Sequence, residues 1–233
     1  MYGKRFIYRS ALALILTCFA SAAVLARPAT VQQPSLNELE KQFQQAYAAI
    51  QYLFANGPAS MVFPADPRER RRRWQDSLSD SFTRAASLAE QIINLNPPNI
   101  GMWREHRDTL LVYGRPSGTP GTRTVFGSSE VKTKARLRET PLPVYPQTAR
   151  GAKAGGEVRL RLVLAADGTV KSVFPMKPEK HGLTEAAIEA ARQIKFEPAI
   201  KDGQPVSQFL TLAYEFKNGK SRKPFVPKYE FYF

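Results

Sequence analysis

Apolar residues between Ser35 and Asn56 recur every three or four positions, which is the period of a helix with one buried face. Ser35-Leu36-Asn37-Glu38 is a capping box that predicts the start of this helix, and Asn56-Gly57-Pro58 predicts its end. The predicted buried face consists of Leu36, Leu39, Phe43, Tyr47, Ile50 and Phe54.

The same period continues after Asp66, which predicts two more helices. Asp66 is placed to cap the second helix, Pro67 suits its first position, and Pro97-Pro98 ends it. Its predicted buried face is Trp74, Leu78, Phe82, Ala85, Leu88 or Ala89, Ile92 and Leu95. A shorter helix is predicted from Ile100 to Tyr113, with Trp103, Leu110 and Leu111 directed inward. Residues 35–113 are therefore predicted to form an all-α helical hairpin or small bundle.

The apolar period is lost between Gly114 and Thr140. Glycine and proline are frequent at the start of this stretch, and serine, threonine and lysine follow. This composition is typical of a flexible linker, here predicted over 114–140 between two separately folded pieces.

The pattern after Thr140 indicates a short helix followed by a hairpin. A helix is predicted from Gln147 to Ala154. Apolar residues then alternate from Val158 to Leu164 on one face of a strand, with Arg159 and Arg161 on the other. Asp167-Gly168 predicts a tight turn, and Val170 to Phe174 is predicted to return as the second strand.

A helical period returns from Leu183 to Ile194, with Leu183, Ala187, Ala190, Ala191 and Ile194 directed inward. Asp202-Gly203 predicts another turn, and Leu210, Leu212, Tyr214 and Phe216 form the predicted buried face of a last strand. The fold class predicted for the chain is therefore α+β, with a small C-terminal antiparallel sheet that packs against a helix.

The N-terminal 26 residues have the pattern of a secretory signal peptide. Lys4, Arg5 and Arg9 precede an apolar stretch from Ala11 to Leu25, and small residues follow at the end. The alternative is an uncleaved anchor, although the apolar stretch would span only about 22 Å of the ~30 Å hydrocarbon core. Cleavage predicts a periplasmic protein, whereas retention predicts a single inner-membrane anchor that faces the periplasm.

The chain is basic, with a formal net charge of +14. Five arginines lie at the start of the second helix, and Arg70, Arg71, Arg72 and Arg73 are candidates for contact with an anion or a surface. For an exported protein the expected anionic partners are lipid or cell-wall polymer, and no nucleic acid is expected. The alternative is that this cluster is simply a solvated helix face.

No catalytic chemistry is indicated by the sequence. It contains no phosphate-binding loop, dinucleotide fingerprint or nucleophile elbow, and its single Cys18 and two histidines form no metal-ligand pattern. We therefore expect neither an enzyme, nor a cofactor, nor a metal site.

Between Pro141 and Phe216 several short motifs follow one another in a fixed order: Pro143-Val144-Tyr145-Pro146, Gly156-Glu157-Val158, Asp167-Gly168-Thr169-Val170, Leu183 through Ala191, Phe196-Glu197-Pro198-Ala199, and Asp202-Gly203-Gln204-Pro205-Val206. Together these motifs resemble the C-terminal domain of TonB, the periplasmic arm that pulls on outer-membrane receptors. The resemblance covers about a third of the chain, 141–216. One departure is Ile194, where the family usually has tryptophan.

The resemblance implies a binding domain whose last strand pairs with a short receptor segment, the TonB box, by β-strand addition. The residues that it implies as partner-binding are Tyr145, Pro146, Gln208, Phe209, Leu210, Thr211, Leu212 and Tyr214. The bland alternative, which is favoured for Tyr145, Leu210 and Tyr214, is that they are core or framing residues. A scaffold role, in which the basic surface binds the envelope and the β domain dimerises, is the alternative function.

Two departures from the energised members of the family bear on coupling and binding. Their anchor carries a Ser-x-x-x-His pair, whereas His106 and His181 lie far from the apolar stretch here, so inner-membrane motor proteins are expected as partners only if the chain is an anchored energy transducer. The second departure is the tail, 217–233. We predict that it adds a strand and covers an edge of the sheet, although Pro224 and Pro227 permit only a short one.

Overall fold

The computed structural model describes residues 34–61, 65–114 and 125–227. The predicted signal peptide and the last six residues of the tail lie outside the described residues. Residues 35–233 form one compact unit, in which three helices come first and a mainly antiparallel sheet with two further helices follows. The predicted α+β fold class is confirmed.

The first three helices form where the sequence predicts them, and the predicted caps begin the first two. Helix α1 spans Leu36–Asn56, and the Ser35 side chain accepts a hydrogen bond from the Glu38 N–H at 3.3 Å. A 3₁₀ turn, Gly57–Ser60, follows. Helix α2 spans Pro67–Asn94, and Asp66 accepts a hydrogen bond from the Arg68 N–H at 3.0 Å. Helix α3 spans Ile100–Tyr113.

Two residues assigned to the buried helix faces are exposed, and the prediction was wrong for both. Leu95 follows the last residue of α2 and is 44% exposed, because the chain leaves the helix axis before the apolar period reaches it. Leu111 is 43% exposed, whereas Leu110 and Tyr113 are buried. The helical spacing from Trp103 through Leu110 to Tyr113 turns Leu111 away from the core.

The sheet is built around two long antiparallel strands. Strand β3, Gly156–Leu164, pairs with β7, Gln204–Lys217, over nine residues, and with β4, Val170–Lys177, on its other side. Shorter strands complete the structure: β5 is Lys195–Glu197, β6 is Ala199–Lys201 and β8 is Lys220–Ser221. The Asp202-Gly203 turn joins β6 to β7 as predicted.

One face of the sheet packs on helices of the C-terminal part. Helix α5, Leu183–Arg192, buries Leu183, Ala187 and Ala191 against this face. Helix α4 spans only Gln147–Gly151, shorter than predicted, and it buries Ala149. The alanines allow close approach of helix to sheet, and the leucines of β3 and β7 fill the space between them.

The helical module packs on the other side of this structure through β4. Phe174 and Met176 belong to the same apolar core as α1, α2 and α3, and Phe209 of β7 packs against that core. Hydrogen bonds also join the parts: the Tyr113 hydroxyl donates to the Ser172 carbonyl at 2.6 Å, the Gln51 amide donates to the Pro175 carbonyl at 3.2 Å, and Arg192 of α5 donates to Glu105 of α3. The two pieces that the sequence predicts as separate therefore share a core.

The described part of the predicted linker contains two strands, which differs from a flexible chain. Strand β1, Val125–Phe126, pairs with β7 in parallel, and β2, Arg136–Glu139, pairs with β5. Arg138 pairs with Glu197, and Lys195 pairs with Glu139 at 2.9 Å, so opposite charges face one another across the β2–β5 pair. Ten of its residues, 115–124, lie outside the described part.

Within the described ranges, no helix is both long and apolar enough to cross a membrane.

Candidate partner-binding edge

Strand β7 has a long continuous partner on one side and short, interrupted partners on the other. Strand β3 pairs with it from Gln208 to Phe216. On the outer edge, β1 pairs with Ser207 and Gln208, Phe225 forms a bridge with Ala213, and β8 pairs with Phe216 and Lys217. The segment 220–225 thus lies on the edge where the sequence predicts an additional strand.

The hydrogen bonds on this edge establish which residues face it. Ala213 exchanges both backbone hydrogen bonds with Phe225, at 2.9 and 3.0 Å, and the Glu215 carbonyl accepts from the Arg222 N–H at 2.9 Å. Since the backbone groups of a strand alternate in direction, Phe209 and Thr211 also present their N–H and C=O groups to the outer edge. In the described ranges no strand pairs with β7 between residues 209 and 212 on this side.

This interruption in the pairing is nevertheless covered. Thr211 is only 2% exposed, and Pro227, which follows the Phe225 bridge along the same edge, is also buried. Continuing the Phe225–Ala213 register would place Pro227 opposite Thr211. Proline has no N–H, so it cannot donate to the Thr211 carbonyl and the ladder cannot continue there.

Most of the predicted partner-binding side chains in β7 belong to the interior. Leu212 and Tyr214 are buried, and Leu210 packs against the same core. No partner for the Tyr214 hydroxyl is found among the described residues, and burial raises the pKa of this phenol. These three side chains stabilise the domain, so a partner could reach β7 here only through its backbone.

Of the remaining predicted residues of β7, Phe209 and Thr211 line the other face, whereas Gln208 shares the face of Leu210 and Leu212. The Gln208 side chain is buried and accepts a hydrogen bond from the Ala135 N–H at 2.8 Å. Arg161 lies over the Phe209 ring at 4.9 Å and donates to the Thr211 hydroxyl at 3.3 Å. Arg161 was expected on a polar outer face, but it is 3% exposed because the helical module covers that face of the sheet.

Tyr145 frames the end of β7. Its ring is buried against Phe216 with centroids 5.8 Å apart, and its hydroxyl donates to the Ala154 carbonyl. Pro146 is half-buried and precedes helix α4. Gly155 follows in the same corner, where a Cβ would lie 2.6 Å from the Phe216 carbonyl oxygen, so a glycine is required before β3. The Tyr145-Pro146 segment therefore fixes the position of the strand ends.

The arginine cluster lies on the first turns of α2, far along the chain from β7. Arg71, Arg72 and Arg73 are exposed and Arg70 is half-buried. Arg73 pairs with Glu69 at 2.9 Å, one helical turn away. Such an exposed pair contributes little to stability, and the cluster remains a candidate for surface contact.

The joint between helices and sheet was missed by sequence reasoning. Phe174 is 1% exposed, and its ring lies 5.1 to 5.9 Å from those of Tyr47, Phe54, Phe82 and Tyr113. Burial raises the pKa of Tyr113 and of Tyr47. Burial also lowers the pKa of His106, although the negative charge of Glu105 acts to raise it. One signal for this joint was available in the sequence. Phe174 is an aromatic residue on the face of β4 opposite the face that carries the neighbouring core residues.

The described residues contain no cluster of histidine, cysteine and carboxylate side chains that could hold a metal ion. The Asp167 carboxylate belongs to the β3–β4 turn, where hydrogen bonds from Lys171 and Thr169 lower its pKa.

Comparison with known proteins places residues 141–217 in a defined family. These residues match the family model described as the Gram-negative bacterial TonB protein C-terminal. One similar solved structure is the solution NMR structure of the Pseudomonas aeruginosa TonB C-terminal domain, with 20% identity and a TM-score of 0.33. That alignment covers 42% of this chain and 97% of the other. None of the curated proteins matches this chain. Residues 141–217 therefore form a domain of the TonB C-terminal family.

Proposed function

We propose that this chain is an exported, periplasm-facing binding protein that recognises a segment of an outer-membrane receptor by β-strand addition, and that it acts in transmembrane transport. The family match supports a TonB-like role in energy transduction and transport.

The observation that carries this proposal is the interrupted outer edge of β7. Strand β1 and strand β8 have two residues each, and a single bridge at Ala213 lies between them. Short segments make few backbone hydrogen bonds, so an extended peptide that pairs along 207–217 can replace them by a longer ladder. The opposite edge strand, β4, is instead held by a packed core and by Tyr113 and Gln51.

In this proposal the partner contacts are made by backbone groups. The N–H and C=O groups of Phe209, Thr211 and Ala213 pair with the peptide after the segment 220–227 has moved from the edge. The side chains of Leu210, Leu212 and Tyr214 remain in the core and hold the strand straight, and Tyr145 and Pro146 hold its end.

The test uses backbone-modified peptides and the isotope-labelled protein. A synthetic peptide that carries a TonB box should shift the amide resonances of Phe209, Thr211 and Ala213. Methylation of alternate peptide nitrogens removes donors on one side of the peptide strand only. One methylated series should therefore lose binding and the other should retain it.

A scrambled peptide of the same composition is the control. Equal loss of binding in both methylated series, or amide shifts confined to residues away from β7, would contradict strand addition at this edge.

A further inference from the structure

Two extended segments near the end of β7 each expose two apolar side chains. Leu142 is 52% and Val144 83% exposed, and in the tail Phe225 is 45% and Val226 50% exposed. The segments are joined, because the Ser221 hydroxyl donates to the Pro143 carbonyl at 2.6 Å. We call these four side chains the apolar patch. Exposed apolar side chains that occur as a group, and not singly, mark interaction surfaces.

A cationic cavity of about 950 Å³ adjoins the apolar patch. Phe225 lines it, and so does the Tyr145 ring, against which the Arg150 guanidinium lies at 5.2 Å. Lys153 and Lys217 complete its cationic wall.

The acidic residues of the cavity are already neutralised. Glu157 pairs with Arg159 at 2.7 Å, and Glu215 pairs with Arg222 at 3.2 Å. Within the part of the chain that the structure describes, Arg150, Lys153 and Lys217 make no ion pair. These three cations are therefore available to an anionic ligand.

We propose that the apolar patch and the cationic cavity together form a docking surface for an anionic phospholipid bilayer. A bilayer presents phosphate groups at its surface and hydrocarbon directly beneath them. The phosphate layer would be contacted by Arg150, Lys153 and Lys217, and the hydrocarbon layer would be contacted by the apolar patch.

The apolar patch distinguishes the proposed docking surface from a surface that binds by charge alone. Lysine and arginine alone bind anionic lipids in a manner that salt screens. Val144 and Phe225 add burial in the interface, which salt does not screen. The arginine cluster of α2, by contrast, has no such apolar group on its own turns.

The test is sedimentation with vesicles of the chain that begins at Arg27. This chain keeps the compact unit of residues 35–233 whole and removes the apolar N-terminal stretch, which could itself bind lipid. Binding is expected to phosphatidylglycerol-containing vesicles and to be much weaker with phosphatidylcholine alone. A fraction of the binding should persist in high salt.

Two double variants, each with a matched control, identify the residues that contact the bilayer. Val144→Ser with Phe225→Ser should weaken binding roughly tenfold or more, because both apolar groups are lost from the interface. The control, Tyr52→Ser with Leu111→Ser, removes two exposed apolar side chains from helices and should bind as the wild type does. Lys153→Gln with Lys217→Gln should also weaken binding, whereas Arg71→Gln with Arg72→Gln should not.

Circular dichroism establishes that each variant is folded. The proposal is overturned if the protein does not sediment with anionic vesicles, which would favour a protein partner for the patch. It is also overturned if the patch variant binds as the wild type does, or if only the arginine variant loses binding. Free glycerol phosphate at millimolar concentration should not compete, and competition would assign the cavity to a soluble ligand.

Discussion

At the scale of single residues, Phe174 is the side chain that joins the two halves of the molecule. It belongs to the second hairpin strand, yet it packs among rings of α1, α2 and α3. A strand pattern in the sequence indicates that a residue at this position is apolar. It does not indicate which element lies over it, because that depends on a helix more than fifty residues away.

We predict that Phe174→Ala lowers the free energy of unfolding by about 3–5 kcal/mol, the usual cost of a large cavity in an aromatic core. Phe225→Ala, which removes the same atoms from a half-exposed site, should cost about 1 kcal/mol or less. Denaturant titration of both variants measures the difference. Equal losses of unfolding free energy in the two variants would show that Phe174 does not stabilise the contact between the helices and the sheet.

His106 is the residue from which we expect a pH effect on stability. Its ring lies 5.8 Å from that of Phe43 and 5.9 Å from that of Trp103, and burial lowers its pKa. The unfolded chain therefore binds a proton at a higher pH than the folded one. Stability from this group is present above the ordinary histidine pKa of about 6.5 and falls as the pH drops below it.

The measurement is the free energy of unfolding between about pH 7 and pH 5, above the main titration of ordinary carboxylates. His106 lines a cavity between α1, α3 and α5. The other titratable groups that line this cavity are Glu105, Glu185, Glu189, Arg192 and Tyr47. His106→Phe should reduce the slope of stability against pH, and His181→Gln, at the chain's other histidine, serves as the matched control. An unchanged slope in His106→Phe would assign the pH effect to the carboxylates.

At the scale of elements, β7 is the strand on which the proposed binding depends, and its outer edge is occupied by the chain itself. Strand β8 and the Phe225 bridge cover the end of that edge. A partner that adds a strand must therefore displace the tail, which lowers its apparent affinity by the cost of opening.

Deletion of residues 219–233 should accordingly increase the affinity for a TonB-box peptide, because no competing segment remains. Calorimetric titration of the intact and truncated chains measures the change. Truncation also exposes the edge to a second copy, so sedimentation velocity should show more self-association. Unchanged affinity together with unchanged self-association would contradict a role for the tail at this edge.

At the scale of the whole molecule, the helices and the sheet are expected to unfold together. Both tryptophans, Trp74 and Trp103, are buried in the helical module, so their fluorescence reports that module alone. Amide hydrogen exchange in β3 reports the sheet. A shared core predicts that both probes give the same free energy of unfolding. Two separate transitions would instead support independent domains joined by a linker.

The local patterns of the sequence determined the longer elements of this protein and their order. Capping residues and apolar periods located α1, α2, α3, α5, the β3–β4 hairpin and the last strand, because a cap or a turn is settled within a few residues. The ordered motifs after Pro141 likewise identified the C-terminal family, since motifs such as the Asp167-Gly168 turn, with its positive φ at Gly168, report local requirements.

Only the tertiary structure decided how these elements share their surfaces. It placed the helices over β4, buried Arg161 beneath them, and turned part of the predicted linker into β1 and β2. It also covered the outer edge of β7 with the tail. These contacts join residues far apart in the chain, and a local pattern shows only that a residue is apolar or unpaired. Which distant surface buries or pairs with that residue depends on the packing of the whole chain.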